Sequence, residues 1–348
     1  MTAGIRGVRR FEQADLRARN TFGVAARAPL LLEIADPEAL PEVFARGWAG
    51  TDAMVLGGGS NLLFAADPSG PLLALAGRRA AVVDDDGDTA SVRAEAGMAW
   101  HAFVQWTLGQ GLAGLENLAL IPGTVGAAPI QNIGAYGSEV RESIVAVEAW
   151  DRAHGAEVRL DNADCGFGYR DSAFKREPDR WIVTAVEFAL SHRPEVRVGY
   201  AGVADELRAM GATEPTPTDV AEAVVRLRRR KLPDPALVGN AGSFFKNPIV
   251  PRAHADALRQ AHPELPVFPA DPADARKLSA AWLIDRCGWK GHRDGDAGVS
   301  ERHALVLVNH GAASGAQLLA LARRIAASVA QRFDVAIEPE PRIIGARW

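Results

Sequence analysis

Cysteine is scarce in these 348 residues: Cys165 and Cys287 are the only two, and no CxxC pair or dense spacing joins them. That excludes a disulfide scaffold and fits a reducing cytoplasm, with inert buried thiols as the plain expectation. The eight histidines are scattered, with no HxH, HExxH or Cys/His cluster, so no metal site is expected. Asp294 and Asp296 do not continue into a calcium loop. The long uncharged run between Glu116 and Glu139 is broken by prolines, glycines and amides, so no membrane helix is expected. Arg6, Arg9, Arg10, Arg17 and Arg19 crowd the N-terminus without the apolar core of a secretory signal. A net charge of -4 argues against a dedicated nucleic-acid binder. A soluble cytoplasmic protein with neither a nucleic-acid nor a membrane partner is therefore expected.

What is present is ordinary in bulk and uneven in detail. An apolar content of 48% beside 24% charged residues suits a globular protein, and the length allows two or three domains. The most unusual stretch is Ile121 to Gly137, IPGTVGAAPIQNIGAYG, with glycines at 123, 126, 134 and 137. Small residues let a backbone approach a flat or charged ligand, and Gln131 and Asn132 add amide donors and acceptors. A glycine-rich connection without a ligand explains the same residues. Upstream, AMVLGGGSNLLF (Ala53 to Phe64) reads as strand, triple-glycine turn and apolar run. Successive N–H groups in such a turn suit phosphate, although neither a Walker loop nor GxGxxG is present. A plain tight turn remains the alternative.

Periodicity organises the remainder. A polar arm precedes NTFGV (Asn20 to Val24) and a strand at Leu30 to Ile34. Asp36-Pro37 opens an irregular helix with Leu40, Val43 and Phe44 inward. Strands are expected at Leu72 to Leu75, Ala80 to Val83, Ser91 to Gly97, Ile144 to Trp150, Ala156 to Leu160 and Trp181 to Leu190. Helical spacing runs from Trp100 to Leu108. Thr218 caps a helix facing inward through Val220, Val224 and Leu227 and ending in a basic run to Lys231. A solvated face or an anion-binding edge fits that run. CGFGYRDSAFK (Cys165 to Lys175) sets Arg170 among glycines, as a carboxylate clamp or a surface turn. Beyond Pro233, Asp271-Pro272 opens a helix facing inward through Leu278, Ala281 and Trp282. A capping box at Ser314 and Gln317 opens another, striped by Leu318, Ala322, Ile325 and Val329. Ala304 to Val308 is a core strand, and VAIEPEPRIIG ends the chain as a strand.

In order, the blocks NTFGV, LGGGSNLLF, IPGTVGAAPIQNIGAYG, YRDSAFK, KLPDP, GNAGSFFKNP, AAWLIDRCGWKG and EPEPRIIG resemble the UDP-N-acetylenolpyruvoylglucosamine reductase family. They span Asn20 to Gly345. The resemblance implies an α+β protein: an FAD-binding fold of the vanillyl-alcohol oxidase (PCMH) type in two subdomains, plus a smaller α+β substrate-binding domain. The ranges expected are 20–232 for the first, with subdomains of about 20–78 and 79–232, and 233–337 for the second. Residues 338–348 would pack back on the first. It also implies a monomer holding FAD noncovalently, with NADPH as co-substrate. Hydride would pass by way of flavin N5 to the enolpyruvyl methylene carbon of UDP-N-acetylglucosamine enolpyruvate, giving UDP-N-acetylmuramate for peptidoglycan synthesis.

Position by position, the resemblance places FAD against Gly57, Gly58, Gly59, Ser60, Asn61 and Leu62 in the first glycine turn. In the second block it uses Pro122, Gly123, Gly126, Ala127, Ala128, Gln131, Asn132, Gly134 and Tyr136, and beyond it Ile182, Arg228 and Arg342. Ala127 and Ala128 stand where relatives often carry serine, so hydroxyl contacts are not carried over there. Substrate contacts fall to Tyr136, Arg170, Tyr200, Lys231, Ser243, Asn247 and Lys290. Arg170, Ser243 and Glu340 are the implied catalytic residues. Hydride addition drives charge towards the substrate carboxylate, so Arg170 and a protonated Glu340 would stabilise an enolate-like intermediate. Ser243 would then protonate the neighbouring carbon, which is basic enough to take a hydroxyl proton. Glu338 is a second glutamate nearby, but spacing to Arg342 favours Glu340, and Pro341 between them removes a backbone N–H. Two rivals remain: an FAD-dependent alcohol or sugar oxidase of the same fold, and a noncatalytic nucleotide-binding protein.

Overall fold

The apolar run LLLEI becomes the end of the Arg27–Ile34 strand in a computed structural model, which describes residues 4–193 and 195–348. The chain forms two compact units. One holds the chain up to Ala14, with Ala28–Gly58 and Ser69–Arg228; the other holds Asp15–Arg27, Gly59–Pro68 and Arg229–Trp348. Neither unit is one continuous stretch.

In the first unit, Arg27–Ile34 runs parallel to Leu72–Leu75, which runs parallel to Met54–Val55. This small sheet buries Leu32, Ile34 and Leu73 with Leu40, Val43, Trp150 and Ile182. A second sheet is antiparallel, in the order Ala156–Asp161, Ile144–Asp151, Trp181–Ser191, Thr89–Glu95, Ala80–Asp85. Trp181–Ser191 lies at its centre, which explains why its sequence is nearly continuously apolar. Trp100 and Phe103, on the Trp100–Gly109 helix, pack against Phe188 of that strand with ring centroids 6.1 and 4.9 Å away.

The second unit has two three-stranded sheets. In one, Ala275–Leu278 lies between Ile249–Pro251 and Val267–Pro269; in the other, Ala297–Val299 lies between Arg293–Asp294 and Leu307–Asn309. Gly315–Phe333 is the long helix, with Leu318, Ala322, Ile325 and Val329 buried as the stripe requires. Ser314 and Gln317 form the expected capping box. The C-terminal Arg342–Ile344 pairs in parallel with Leu62–Phe64. Helices and largely antiparallel sheets make this an α+β fold, as the sequence suggested.

Several local expectations need correction. The polar arm is in fact the strand Val8–Asp15, at one edge of the first sheet. It is exposed except at half-buried Val8 and buried Ala14, so no apolar alternation marks it. Asp271-Pro272 does not open a helix. Leu278 ends a strand, Ser279 caps the helix Ala280–Arg286, and Ala280, Leu283 and Ile284 face inward. At the C-terminus only Arg342–Ile344 is strand. The helices Val203–Ala209 and Arg252–Ala261 escaped notice; the second buries only Ala255.

The basic helix is Pro217–Lys231, so its cap is Thr216 rather than Thr218. Thr216 Oγ1 accepts from Asp219 N–H at 3.2 Å, and Thr216 N–H donates to Asp219 Oδ2 at 2.9 Å. Thr216→Ala should lower unfolding free energy by about 1 kcal/mol. Exposed Thr218→Ala should change it by less than about 0.5 kcal/mol. Denaturant titration distinguishes them, and an equal effect would contradict the assignment.

Candidate active site

The second glycine block is held by its few apolar members. Val125, Ala128, Ile133 and Val140 are buried in the same core as Trp100 and Phe103. Gly123, Gly126, Gln131 and Gly134 lie half-buried between them. Backbone bonds fix the position: Val125 N–H donates to Met98 O and Gly126 N–H to Ala96 O, both at 2.9 Å. The first glycine turn lies against this block. A Cβ built on Gly58 would stand 3.0 Å from Gly123 Cα, so the close approach leaves little room for a side chain at Gly58. Among the described residues, the N–H groups of Gly57 and Gly58 donate to no backbone carbonyl. Exposed, adjacent donors of this kind fit the diphosphate of a dinucleotide.

Three side chains join the Gly168–Ser172 loop to the same block. Asn132 Nδ2 donates to Gly168 O at 3.0 Å, Arg170 Nη2 to Gly134 O at 2.8 Å, and Ser172 Oγ to Ile130 O at 2.6 Å. Arg170 sits at φ 54, a left-handed conformation that a non-glycine residue keeps only when its surroundings impose it. Lys175 Nζ donates to the Arg170 carbonyl at 2.7 Å and helps impose it. Asn132 is fully buried, and its amide also donates to Glu139 Oε2 and accepts from Arg141 N–H. Its side chain therefore serves protein partners; the backbone is what it can offer a ligand.

Tyr136 and Arg228 complete an electropositive group around Arg170. Burial pushes the Arg228 guanidinium below its usual range, the neighbouring Arg170 cation acts in the same sense, and Tyr136 opposes it. Arg228 Nε donates to Leu120 O at 3.1 Å, which fixes the guanidinium. Two cations beside a phenol suit an anion. Tyr136 also meets Tyr200 edge to face, with ring centroids 5.3 Å apart. Pro122 is exposed, Ala127 is half-buried near Gly57, and Ala128 lies in the core. Ile182 is wholly enclosed in the smaller apolar cluster, which again leaves only its backbone for a ligand.

The second unit carries Ser243 and Glu340. Its framework is a knot around NTFGV: buried Asn20 donates through Nδ2 to Leu16 O and Val24 O and accepts from Val24 N–H. Thr21 N–H donates to Gly59 O at 3.0 Å, and Asn240 N–H donates to Thr21 O at 2.9 Å. Gly59, at φ 63, lies so near the Arg19 carbonyl that no side chain fits. From this anchor the chain runs through half-buried Ser243 to Asn247. Glu340 N–H donates to Phe244 O at 2.7 Å, and Lys246 N–H donates to Glu338 O at 3.0 Å. The serine and glutamate segments are thus strung together. Glu338 is 70% exposed and pairs with Lys246 at 3.4 Å, whereas Glu340 is half-buried beside Phe244. The two glutamates thus differ in exposure and in the partners that hold them.

Other named positions gather in the same unit. Arg342 N–H donates to Asn61 O at 3.1 Å, which puts Arg342, Asn61 and Leu62 together, next to half-buried Ser60. Asn247 Oδ1 accepts from Ala280 N–H at 3.0 Å, a bond that turns its Nδ2 away from the helix. Lys231 and Lys290 are exposed, and both act on His303, which the sequence reading missed. Burial first, then those two lysines, lower the His303 pKa below the usual imidazole range. Leu305 N–H points at its Nδ1 from 3.3 Å, which favours the tautomer protonated on Nε2. Ser172 was likewise missed, because a serine in a polar turn carries no distinguishing pattern.

Ser172→Ala removes a hydroxyl that donates to Ile130 O and also caps Lys175 N–H. The variant should lose about 1–3 kcal/mol of unfolding free energy. Calorimetry or denaturant melting checks this, and unchanged stability would contradict the fastening role.

Two family models match the chain. A family model described as FAD binding domain matches residues 34–161, and one described as UDP-N-acetylenolpyruvoylglucosamine reductase, C-terminal domain, matches 234–344. The UDP-N-acetylenolpyruvoylglucosamine reductase of Xylella fastidiosa (strain M12) is 58% identical over 336 residues, 96% of both chains. That of Xanthomonas euvesicatoria pv. vesicatoria (strain 85-10) is 58% identical over 338 residues, 97% of both. Among solved structures, the UDP-N-acetylenolpyruvylglucosamine reductase from Thermus caldophilus superposes with a TM-score of 0.67 at 28% identity. The match covers 97% of this chain and 98% of that one.

Proposed function

The chain belongs to the UDP-N-acetylenolpyruvoylglucosamine reductase family, an FAD-dependent oxidoreductase family of peptidoglycan precursor synthesis, and we propose that it reduces UDP-N-acetylglucosamine enolpyruvate with NADPH. The observation that carries this reading is the ladder on which Glu340 N–H meets Phe244 O, setting the Ser243 and Glu340 segments side by side. Bound FAD would supply hydride chemistry, and the exposed glycine N–H groups fit its diphosphate. Gln131 and Gly134 would meet it through the second block, where Tyr136 would contact the substrate.

The protein's own groups then divide the work. Arg170, held in its left-handed conformation by Gly134 and Lys175, would offer a fixed guanidinium to the substrate carboxylate. Fixed positive charge at the place where negative charge grows lowers the barrier most when nothing has to reorganise. A protonated Glu340 would donate a hydrogen bond to developing negative charge. Ser243 would hold its hydroxyl proton for the adjacent carbon and release it once that carbon becomes carbanionic. Tyr200, Lys231, Asn247 and Lys290 would take the nucleotide diphosphate. The protein would work as a cytoplasmic monomer.

Ser243→Ala separates these roles. Flavin reduction by NADPH should remain within about twofold of the parent, while reduction of the enolpyruvyl sugar nucleotide falls by about 10²-fold or more. Rapid-mixing absorbance measures both half-reactions. Equal loss of the two would remove Ser243 from the proton-donating role.

A further inference from the structure

Asn117 takes no part in the chemistry described so far, yet it ties the backbone of one proposed substrate contact to the segment that leads to another. It is 3% exposed, on the short turn Glu116–Leu118. Its Nδ2 donates to Tyr136 O at 3.1 Å and to Arg197 O at 2.9 Å. Tyr136 holds φ 49, so its backbone needs outside support. Arg197 lies on the segment that leads to Tyr200. Val196 and Val198 on either side of it pack on the core, and its guanidinium pairs with Glu142. Tyr200 then meets the Tyr136 ring edge to face at 69°. A carboxamide suits this place because one nitrogen offers two donors without charge, whereas a carboxylate would confront two carbonyl oxygens.

We propose that Asn117 is a positioning residue for the nucleotide end of the substrate, acting through the Tyr136–Tyr200 pair whose two segments its amide holds in register. This rests on the assignment of Tyr136 and Tyr200 as substrate contacts. Without the amide, both rings keep their packing partners but lose a common reference. The ground-state fit of the nucleotide weakens, while groups that act on the reacting carbons are untouched. The signature is therefore a raised KM at nearly unchanged kcat.

The test uses the flavin-loaded full chain. Asn117→Ala should raise KM for the enolpyruvyl sugar nucleotide about tenfold, with flavin reduction at saturating NADPH within about twofold. Tyr200→Ala should raise KM by itself, and adding Asn117→Ala to it should raise KM little further, because both act through one contact. Fully additive effects, or equal loss of both half-reactions, would overturn the proposal. If Asn117→Ala does not fold, Asn117→Ser keeps one donor and should give a smaller rise with the same non-additivity; an unchanged KM there overturns it. The functional reading fails separately, if NADPH oxidation by the unmodified protein ignores the enolpyruvyl sugar nucleotide.

Discussion

The fastening of the Gly168–Ser172 loop to the Ile130–Gly134 stretch is the constraint on which the first unit's site depends. Three side chains make it: Asn132, Arg170 and Ser172, with donor–acceptor distances of 3.0, 2.8 and 2.6 Å. All three bonds end on backbone carbonyls, so the pairing gives the loop side chains fixed partners as well as an orientation. Arg170 is held in a conformation it would not choose, and its guanidinium is aimed as a result. Strain of this kind persists only where surrounding bonds outweigh it. Those bonds are local to the block, and the block is anchored in turn by Val125, Ala128 and Ile133 in the core.

The second unit solves the corresponding problem with asparagines rather than arginine. Asn20, Asn240 and Asn309 each bond backbone groups of irregular segments: Asn309 Nδ2 reaches Phe22 O at 2.9 Å, and Asn240 Nδ2 reaches Val238 O at 2.8 Å. Phe22 packs edge-on to Phe244 beneath them, with ring centroids 6.3 Å apart. Ser243 follows directly after glycine in a turn stabilised this way, and Phe244 and Phe245 bury the chain just beyond it. The hydroxyl is therefore presented by a short, well-anchored excursion. Both units hold the proposed site residues on loops that lean on buried side chains and backbone carbonyls.

Much of this was legible in the sequence, for reasons that differ by element. Trp181–Ser191 announced itself as a buried strand because both of its faces are covered. The Gly315–Phe333 helix showed both stripe and capping box. The glycine blocks were visible because close backbone approach admits few residue types. Val8–Asp15 was not, since an exposed edge strand needs no apolar alternation. Thr216 was misjudged in favour of Thr218 although Pro217, at the first helical position, was the available signal. Asn132 illustrates a deeper limit: an amide that suits a ligand suits a protein carbonyl equally well, and only the fold decides between them. Ser172, Asn117 and His303 act through partners distant in sequence, which no local pattern encodes.

The central claim is that this chain carries out an NADPH-driven reduction of an enol ether, with the fastened Arg170 proposed as carboxylate clamp and Ser243 proposed as proton donor. The most direct measurement is the absorbance of NADPH over time with the purified yellow protein, with and without UDP-N-acetylglucosamine enolpyruvate. The account predicts rapid stoichiometric NADPH consumption and UDP-N-acetylmuramate formation only when the enolpyruvyl nucleotide is present. NADPH consumption that proceeds at the same rate without it, or no bound flavin at all, would contradict the account.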